Sequence, residues 1–244
     1  QKLTEDLNAT NKKLTELDEL KSEFLSFAAH QVKSPMNNVK GFADLIYQGA
    51  YGAVSDEAKE KAKRIKENAD RTLAVVSNLL DLGKIESGKM EYQFKEVDIV
   101  GVLKSMVEDY KISATGKGLD LQFESAAPSL LIRADEEKIR QVLQNIIDNS
   151  IKYTKAGFVK VKIEERGDYV LISVVDSGQG MSLELQKKLF GRFVRDEKTK
   201  NEIQGTGLGL YLAKQFVTNH NGKIWAESDG EGKGSRFFVQ LAKH

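Results

Sequence analysis

Three patches carry the residue types that could hold a nucleotide: Asn145-x-x-x-Asn149-x-x-Lys152, Asp176-x-Gly178-x-Gly180 and Gly205-x-Gly207-Leu208-Gly209-Leu210. Read together they describe a pocket for a purine nucleotide and its magnesium. Far upstream, His30 stands just before a proline in Phe27-Ala28-Ala29-His30-Gln31-Val32-Lys33-Ser34-Pro35, inside a strongly helical stretch. A pocket in one part of the chain and an isolated nucleophile in another imply a phosphoryl donor and its acceptor on separate domains.

Each patch has a chemical reason. On a helix, Asn145, Asn149 and Lys152 fall at i, i+4 and i+7 and share one face. Magnesium takes oxygen ligands and usually shares its shell with substrate phosphates, so one amide oxygen from Asn149 suits it, and Lys152 can neutralise phosphate charge. Asp176 closes the apolar run Tyr169–Val175; a carboxylate at the end of a buried strand can accept a hydrogen bond from an adenine amino group, and Gly178 and Gly180 let the backbone turn close to the base. Gly205 to Leu210 opens a helix, where glycine-rich amides and a helix N-terminus can meet phosphates. No Gly-Lys-Ser/Thr follows, so this is not a Walker loop. The stretch before it is polar rather than a strand, which excludes a Rossmann turn. That polar run, Arg195–Gln204, is expected to be a mobile lid over bound nucleotide.

Two kinds of element must position these groups. Before Gly88 helix formers dominate, and Pro35 is the one proline. Leu3, Leu7, Thr10, Leu14, Leu17 and Phe24 follow heptad spacing, with Lys21 off type, which predicts a parallel coiled coil entering a longer helix; a solvated amphipathic helix is the other reading. Gly49-Ala50-Tyr51-Gly52 breaks the pattern, and Ser55-Asp56-Glu57 caps a second helix running to about Glu86. Two long helices on a short loop form an antiparallel hairpin. Each apolar face is wider than one partner covers, so two chains are expected to build a four-helix bundle. Pro35 should bend the first helix beside His30.

From Met90 to Val97 the chain reads as an extended connector. Beyond it come a helix from Ile99 to about Ser113, strands near Leu119–Glu124 and Leu130–Ala134, and the asparagine helix from Asp135 to about Tyr153. A hairpin follows, Phe158–Glu165 and Tyr169–Val175, turned by Arg166-Gly167-Asp168. Helices at Leu183–Phe190 and Leu208–Asn219 and closing strands at Lys223–Ser228 and Arg236–Leu241 complete it. This mixed order fits a two-layer α/β sandwich, so the class is α+β. The domains expected are 1–20, a coiled coil; 21–90, a dimerising helical hairpin that carries His30; and 91–244, nucleotide binding.

Bulk properties agree. The 244 residues are 40% hydrophobic and 30% charged, with a net charge of +1 and no cysteine. That composition is globular, gives no basic footprint for nucleic acid, and excludes disulfides and thiolate metal sites. No apolar run approaches the roughly 18 residues that span a bilayer. The chain opens at Gln1 in mid-helix and reads as a fragment of a cytoplasmic protein; an anchor in the inner membrane would require a segment absent from this chain.

The three patches, in this order, resemble the N, G1 and G2 boxes of the histidine-kinase ATP-binding domain. Phe190-Gly191-Arg192-Phe193 resembles the F box and Gly232-Lys233-Gly234-Ser235 the final G box. The resemblance covers roughly Asp98 to Ala242 and implies the Bergerat sandwich shared with DNA gyrase, mismatch-repair ATPases and a class of heat-shock chaperone. It implies that Asn149 binds magnesium, Asp176 the adenine, and Lys152 and Arg192 the phosphates, with Tyr153 packed near the base and Ser235 in the last box. Hydrolysing relatives carry a glutamate base where this chain has Asn145, so water attack lacks its usual base.

The His30 stretch resembles the H box of the dimerisation and phosphotransfer domain over about Lys21 to Gly88. The resemblance makes His30 the phosphorylated residue and places Ser34 where a Thr or Asn acts in dephosphorylating the response regulator. Gln31 departs from the family's acid: it can accept the imidazole Nδ1–H bond but supplies no negative charge. His220 and His244 are expected to be a helix-end packing residue and inert, respectively. The resemblance therefore implies a homodimeric sensor histidine kinase core that phosphorylates His30 from ATP and Mg²⁺ and passes the group to an aspartate of a response-regulator receiver domain. It makes 1–20 a signal linker, 21–90 a dimerisation and histidine phosphotransfer domain and 91–244 an ATP-binding catalytic domain. A phosphatase-dominant member crippled by Gln31, and a nucleotide-binding scaffold without catalysis, stand as alternatives.

Overall fold

The computed structural model describes residues 2–196 and 205–243, and the chain divides into two compact units, Gln1–Glu91 and Tyr92–His244. Of the expected lid, Arg195 and Asp196 are described, and the remainder, 197–204, lies outside the described residues.

The first unit is a helical hairpin, α1 (Lys2–Tyr47) and α2 (Asp56–Glu86). Ser55 caps α2 as its sequence predicts, its hydroxyl accepting from the Ala58 N–H at 3.3 Å. The helices approach closely because their contact face is built from small residues: Ala29, Ala43, Ala62, Ala69 and Gly83 are buried. A methyl at Gly83 would come within 3.1 Å of Leu25 Cδ1. Ion pairs Lys21–Glu86 (2.7 Å), Lys40–Asp70 (2.6 Å) and Lys66–Asp44 (2.5 Å) fix the antiparallel register at three levels. Helix α1 continues unbroken through Pro35. A second apolar stripe is left uncovered within one chain, with Leu20, Phe24, Phe27 and Phe42 each at least 60% exposed. The side chains of Leu3, Leu7, Thr10 and Leu14, on which the coiled-coil expectation rests, lie outside the described residues.

The second unit is an α/β sandwich of the expected kind. Its elements are β1 (Lys95–Asp98), α3 (Ile99–Gly116), β2 (Leu119–Ser125), β3 (Leu131–Ala134), α4 (Glu136–Tyr153), β4 (Gly157–Arg166), β5 (Tyr169–Asp176), α5 (Leu183–Lys188), α6 (Gly209–Asn219), β6 (Lys223–Glu227) and β7 (Ser235–Ala242). Five strands form one sheet in the order β2-β4-β5-β7-β6, with β2 and β4 parallel and the other pairs antiparallel. Strict alternation puts Val159, Val161, Ile163, Val170, Ile172, Val174, Phe237, Val239 and Leu241 on one buried face. The apolar stripes of α3, α4 and α6, including Leu103, Ile139, Leu143, Ile146, Leu212 and Phe216, are buried to match, which is the amphipathic solution for a two-layer fold.

Some elements differ from the sequence expectation, among them the connector and α3, while α5 stops at Lys188 instead of Phe190. The end of the connector becomes strand β1, antiparallel to β3 in a separate two-stranded sheet. Its four residues, Lys-Glu-Val-Asp, bury only Val97, so the strand exists because β3 lies beside it and not because of its own apolar pattern. Helix α3 runs to Gly116, past the expected Ser113, because Ala114 is buried and adds another turn to the apolar face.

Candidate functional site

Asp176 is the last residue of β5, 5% exposed and held from two directions. Its Oδ1 accepts the backbone N–H of Gly178 at 2.9 Å and of Ser235 at 3.2 Å. Burial pushes this carboxyl above the ordinary carboxylate range, and the two N–H groups partly oppose the shift. Both backbone bonds use Oδ1, and neither engages Oδ2. The Ser150 hydroxyl lies beside the carboxylate yet makes no geometrically sound hydrogen bond to a described residue, and a buried polar atom of that kind calls for a partner.

The glycines give the carboxylate its surroundings. Gly180 adopts φ 67° and Gly234 φ 72°; a methyl on either would strike a backbone carbonyl, that of Gly230 or of Asp176. At Gly178 it would come within 2.5 Å of the Tyr153 carbonyl. The loop after β6 is therefore laid against the turn after β5, tied by Gly234 N–H to Gly178 O at 3.1 Å and by Met181 N–H to Ser228 Oγ at 3.0 Å. Only glycine admits two chains this close.

The asparagine helix presents its predicted face beside this turn. Asn149 is half-buried and makes no hydrogen bond to a described residue. Lys152 is exposed and pairs with Asp148 at 3.1 Å. The Tyr153 ring is half-buried, and its carbonyl accepts the Gln179 N–H at 3.1 Å. Asn145 is engaged differently: its Nδ2 donates to the Gly209 carbonyl at 3.2 Å, and a methyl at Gly209 would come within 2.7 Å of its Oδ1. It thus ties α4 to the start of α6.

Gly205, Gly207, Leu208, Gly209 and Leu210 lead into α6. Leu208 is buried and stands at the N-cap with no side-chain cap, whereas Asp98, Asp135 and Ser182 cap α3, α4 and α5. No capping side chain meets the first-turn amides of α6, the condition under which a helix N-terminus suits an anion. Gly207 has φ 71°, and a methyl there would meet the backbone of Phe193, which itself has φ 58°. Arg192 lies over the Tyr211 ring at 5.0 Å and donates to its hydroxyl at 3.0 Å. Sequence reading did not find Ser150 or Tyr211. Each is one residue of an ordinary helical face, and only its neighbour across the fold gives it meaning.

His220 fills the packing role expected for it. It is 6% exposed at the C-cap of α6. Its Nδ1 lies 2.7 Å from the Phe216 carbonyl and its Nε2 3.0 Å from the Asp135 N–H. One arrangement satisfies both: Nδ1–H donates to the carbonyl and unprotonated Nε2 accepts from the amide. Burial lowers the His220 pKa below 6.5, against the Phe216 carbonyl and the Asp135 charge, which raise it. Tyr92 touches the ring, and Lys138 stands over the adjoining Phe216 ring. The folded state disfavours the cation, so its stability from this group is complete above pH 6.5 and is lost as pH falls through the depressed value. Urea midpoints from pH 7.5 to 5.5 are expected to fall in the native chain and to fall less steeply in His220→Gln; equal slopes would count against a buried neutral imidazole.

In the hairpin unit His30, Gln31 and Ser34 are all exposed on α1. His30 and Ser34 share a face at i, i+4 spacing. Pro35 has no N–H to offer the Gln31 carbonyl, so the usual i to i+4 bond is missing beside the histidine.

Among the described residues no helix is long and apolar enough to cross a membrane. Residues 20–88 match the His Kinase A (phospho-acceptor) domain, and residues 134–244 match the Histidine kinase-, DNA gyrase B-, and HSP90-like ATPase family. The Non-motile and phage-resistance protein of Caulobacter vibrioides is 34% identical over 91% of this chain and 27% of its own length. The circadian input-output histidine kinase CikA of Synechococcus elongatus is 32% identical over 91% of this chain and 30% of its own. The chain therefore spans under a third of the length of these two relatives. Full-length ShkA in complex with AMPPNP superposes with a TM-score of 0.73 at 26% identity, over 91% of this chain and 46% of that one. Phospho-acceptor hairpin and ATPase fold follow one another in a single chain whose relatives include named histidine kinases, and so the chain belongs to the sensor histidine kinases of two-component systems, as their catalytic core.

Proposed function

We propose that this chain binds ATP in its second unit and transfers the γ-phosphoryl group to His30 of the hairpin, then to an aspartate of a response-regulator receiver domain. The observation that carries the reading is Asp176: a buried carboxylate at the end of β5 whose Oδ1 is fixed by two backbone donors, with the Ser150 hydroxyl beside it. That is an acceptor for a purine amino group. The uncapped start of α6 and the cationic Lys152 and Arg192 suit the phosphates. ShkA, similar in fold and sequence, was crystallised with AMPPNP.

Asn149, with a half-buried amide and no hydrogen bond to a described residue, is the side chain that would hold magnesium; the ion would neutralise charge developing on the phosphates. Asn145 has no basic atom and is occupied by Gly209, so water activation lacks a base and transfer to protein is favoured over hydrolysis. In that transfer the bond from γ-phosphorus to the bridging oxygen breaks, the bond to His30 Nε2 forms, and ADP departs. The imidazole Nδ1–H donates to the Gln31 amide oxygen as positive charge grows. The phosphoramidate is labile enough to be passed on.

The uncovered stripe of Leu20, Phe24, Phe27 and Phe42 would be buried by a second copy, so the active species is a homodimer built on a four-helix bundle. In this reading residues 1–20 relay a signal, 21–90 dimerise and accept phosphate, and 91–244 bind nucleotide. The protein works in the cytoplasm, with any membrane anchor outside this segment. Ser34, one turn beyond His30, is suited to orient water on the partner's phospho-aspartate.

Two measurements test the reading. Calorimetry is expected to detect nucleotide binding that requires magnesium and weakens markedly in Asn149→Ala; metal-independent binding would overturn the assignment of Asn149. Gln31→Glu restores a negative charge beside Nδ1–H. General-base assistance is worth roughly 10²–10⁴-fold, and the single-turnover rate of His30 phosphorylation is expected to rise toward that range. An unchanged or slower rate would show that Gln31 does not limit the step.

A further inference from the structure

The connector Tyr92-Gln93-Phe94, which continues the chain beyond the hairpin, is seated on the two helices that carry the nucleotide site. Gln93 N–H donates to Asp135 Oδ2 at 2.9 Å. Asp135 is the N-cap of α4, and its Oδ1 accepts from Lys138 N–H at 3.1 Å. Its own N–H donates to Nε2 of His220, the C-cap of α6, at 3.0 Å. Tyr92 meets the His220 ring edge-on at 5.6 Å and the Phe216 ring at 6.4 Å, and Phe94 packs on His220 at 4.8 Å. A short run of chain is thus fastened to one end of each helix at once.

That end lies opposite the ligand groups. Helices α4 and α6 are antiparallel: the C-cap of α6, His220, meets the N-cap of α4, Asp135, and the first residue of α6, Gly209, meets Asn145 midway along α4, one turn before Asn149. At 1.5 Å per residue, Asn149 lies about 21 Å along α4 from Asp135. Two rigid rods joined at two levels transmit a small change of angle from one level to the other, because the packed face between them has low compressibility.

We propose that His220 is a positioning residue that clasps α4, α6 and the connector together, so that seating of Tyr92–Phe94 and occupancy of the nucleotide site strengthen one another. Binding that draws Asn149 and the α6 N-terminus onto the phosphates fixes the angle at which Asp135 meets His220. The connector docks best at that same angle. The inference rests on the nucleotide reading above and adds a path from the site to the segment that leads back to the phospho-acceptor hairpin.

The test uses the full chain with AMPPNP and magnesium as the probe. Hydrogen exchange is followed in peptides covering residues 91–97, and affinity is measured by calorimetry. Ligand is expected to slow exchange of the Gln93 amide in the native chain. Phe94→Ala loosens the strap at a half-exposed position without opening the core. It should abolish that slowing and weaken binding about fivefold, since coupling is reciprocal. His220→Gln should do the same; should it fail to fold, Phe94→Ala carries the test alone. A native chain that binds AMPPNP with no change at Gln93, or a Phe94→Ala chain of native affinity, overturns the coupling and leaves the nucleotide site standing. Absence of binding heat in the native chain would remove the site itself, and the coupling with it.

Discussion

Replacing His30 with alanine is expected to reduce acid-labile, base-stable phosphate on the chain to background. His30 is exposed on α1 and makes no hydrogen bond to a described residue, and alanine is the best helix former, so the hairpin should persist. Nucleotide affinity should be unchanged, because the groups assigned to the ligand all lie in the other compact unit. Loss of label with retained binding separates the nucleophile from the pocket. His220 cannot substitute, because its Nε2 lone pair already accepts from the Asp135 N–H in a buried site. Radiolabelled ATP followed by acid and base treatment reads the outcome. Label persisting in His30→Ala would place the acceptor elsewhere and dismantle the proposed transfer.

Asp176→Asn should be the most damaging change of its size in the pocket. Asparagine can keep a carbonyl oxygen where Oδ1 accepts from Gly178 and Ser235, so the turn retains its two backbone bonds. What changes is the other arm, where an NH₂ donor replaces Oδ2. A donor then faces the donor amino group of adenine in a buried site. A lost hydrogen bond to a charged group plus an unsatisfied donor amounts to about 3 kcal/mol, or roughly 150-fold in affinity. The same substitution should favour a purine with a 6-oxo group, so affinity for inosine triphosphate relative to ATP is expected to rise. Calorimetry with both nucleotides decides it. An equal loss for both would mean that Asp176 supports the loops without reading the base.

Much of the second unit is legible from local pattern. The alternation in β4, β5 and β7 follows from valine and isoleucine at every second position, and the turn at Gly167 from a glycine with φ 62° between them. The buried face of α4 is the one its spacing predicts. Strand β1 was not legible, because a strand that buries only Val97 is specified by the neighbour it pairs with. Ser150 and Tyr211 were hidden for a related reason: a hydroxyl on a helix acquires a role only from what the tertiary packing sets opposite it.

By itself the sequence determined which residue types stand where along each element. It put two asparagines and a lysine on one helical face, an aspartate at the end of an apolar strand, glycines ahead of a helix, and a histidine five residues before a proline. The tertiary structure decided which of them meet. Ser235 reaches Asp176 across 59 residues, Asn145 reaches Gly209 across 64, and His220 reaches Asp135 across 85. Periodicity fixes the direction of a side chain relative to its own helix or strand. The order β2-β4-β5-β7-β6 is set by pairing between distant segments, and no local spacing encodes which backbone amide that order will bring to a given carboxylate.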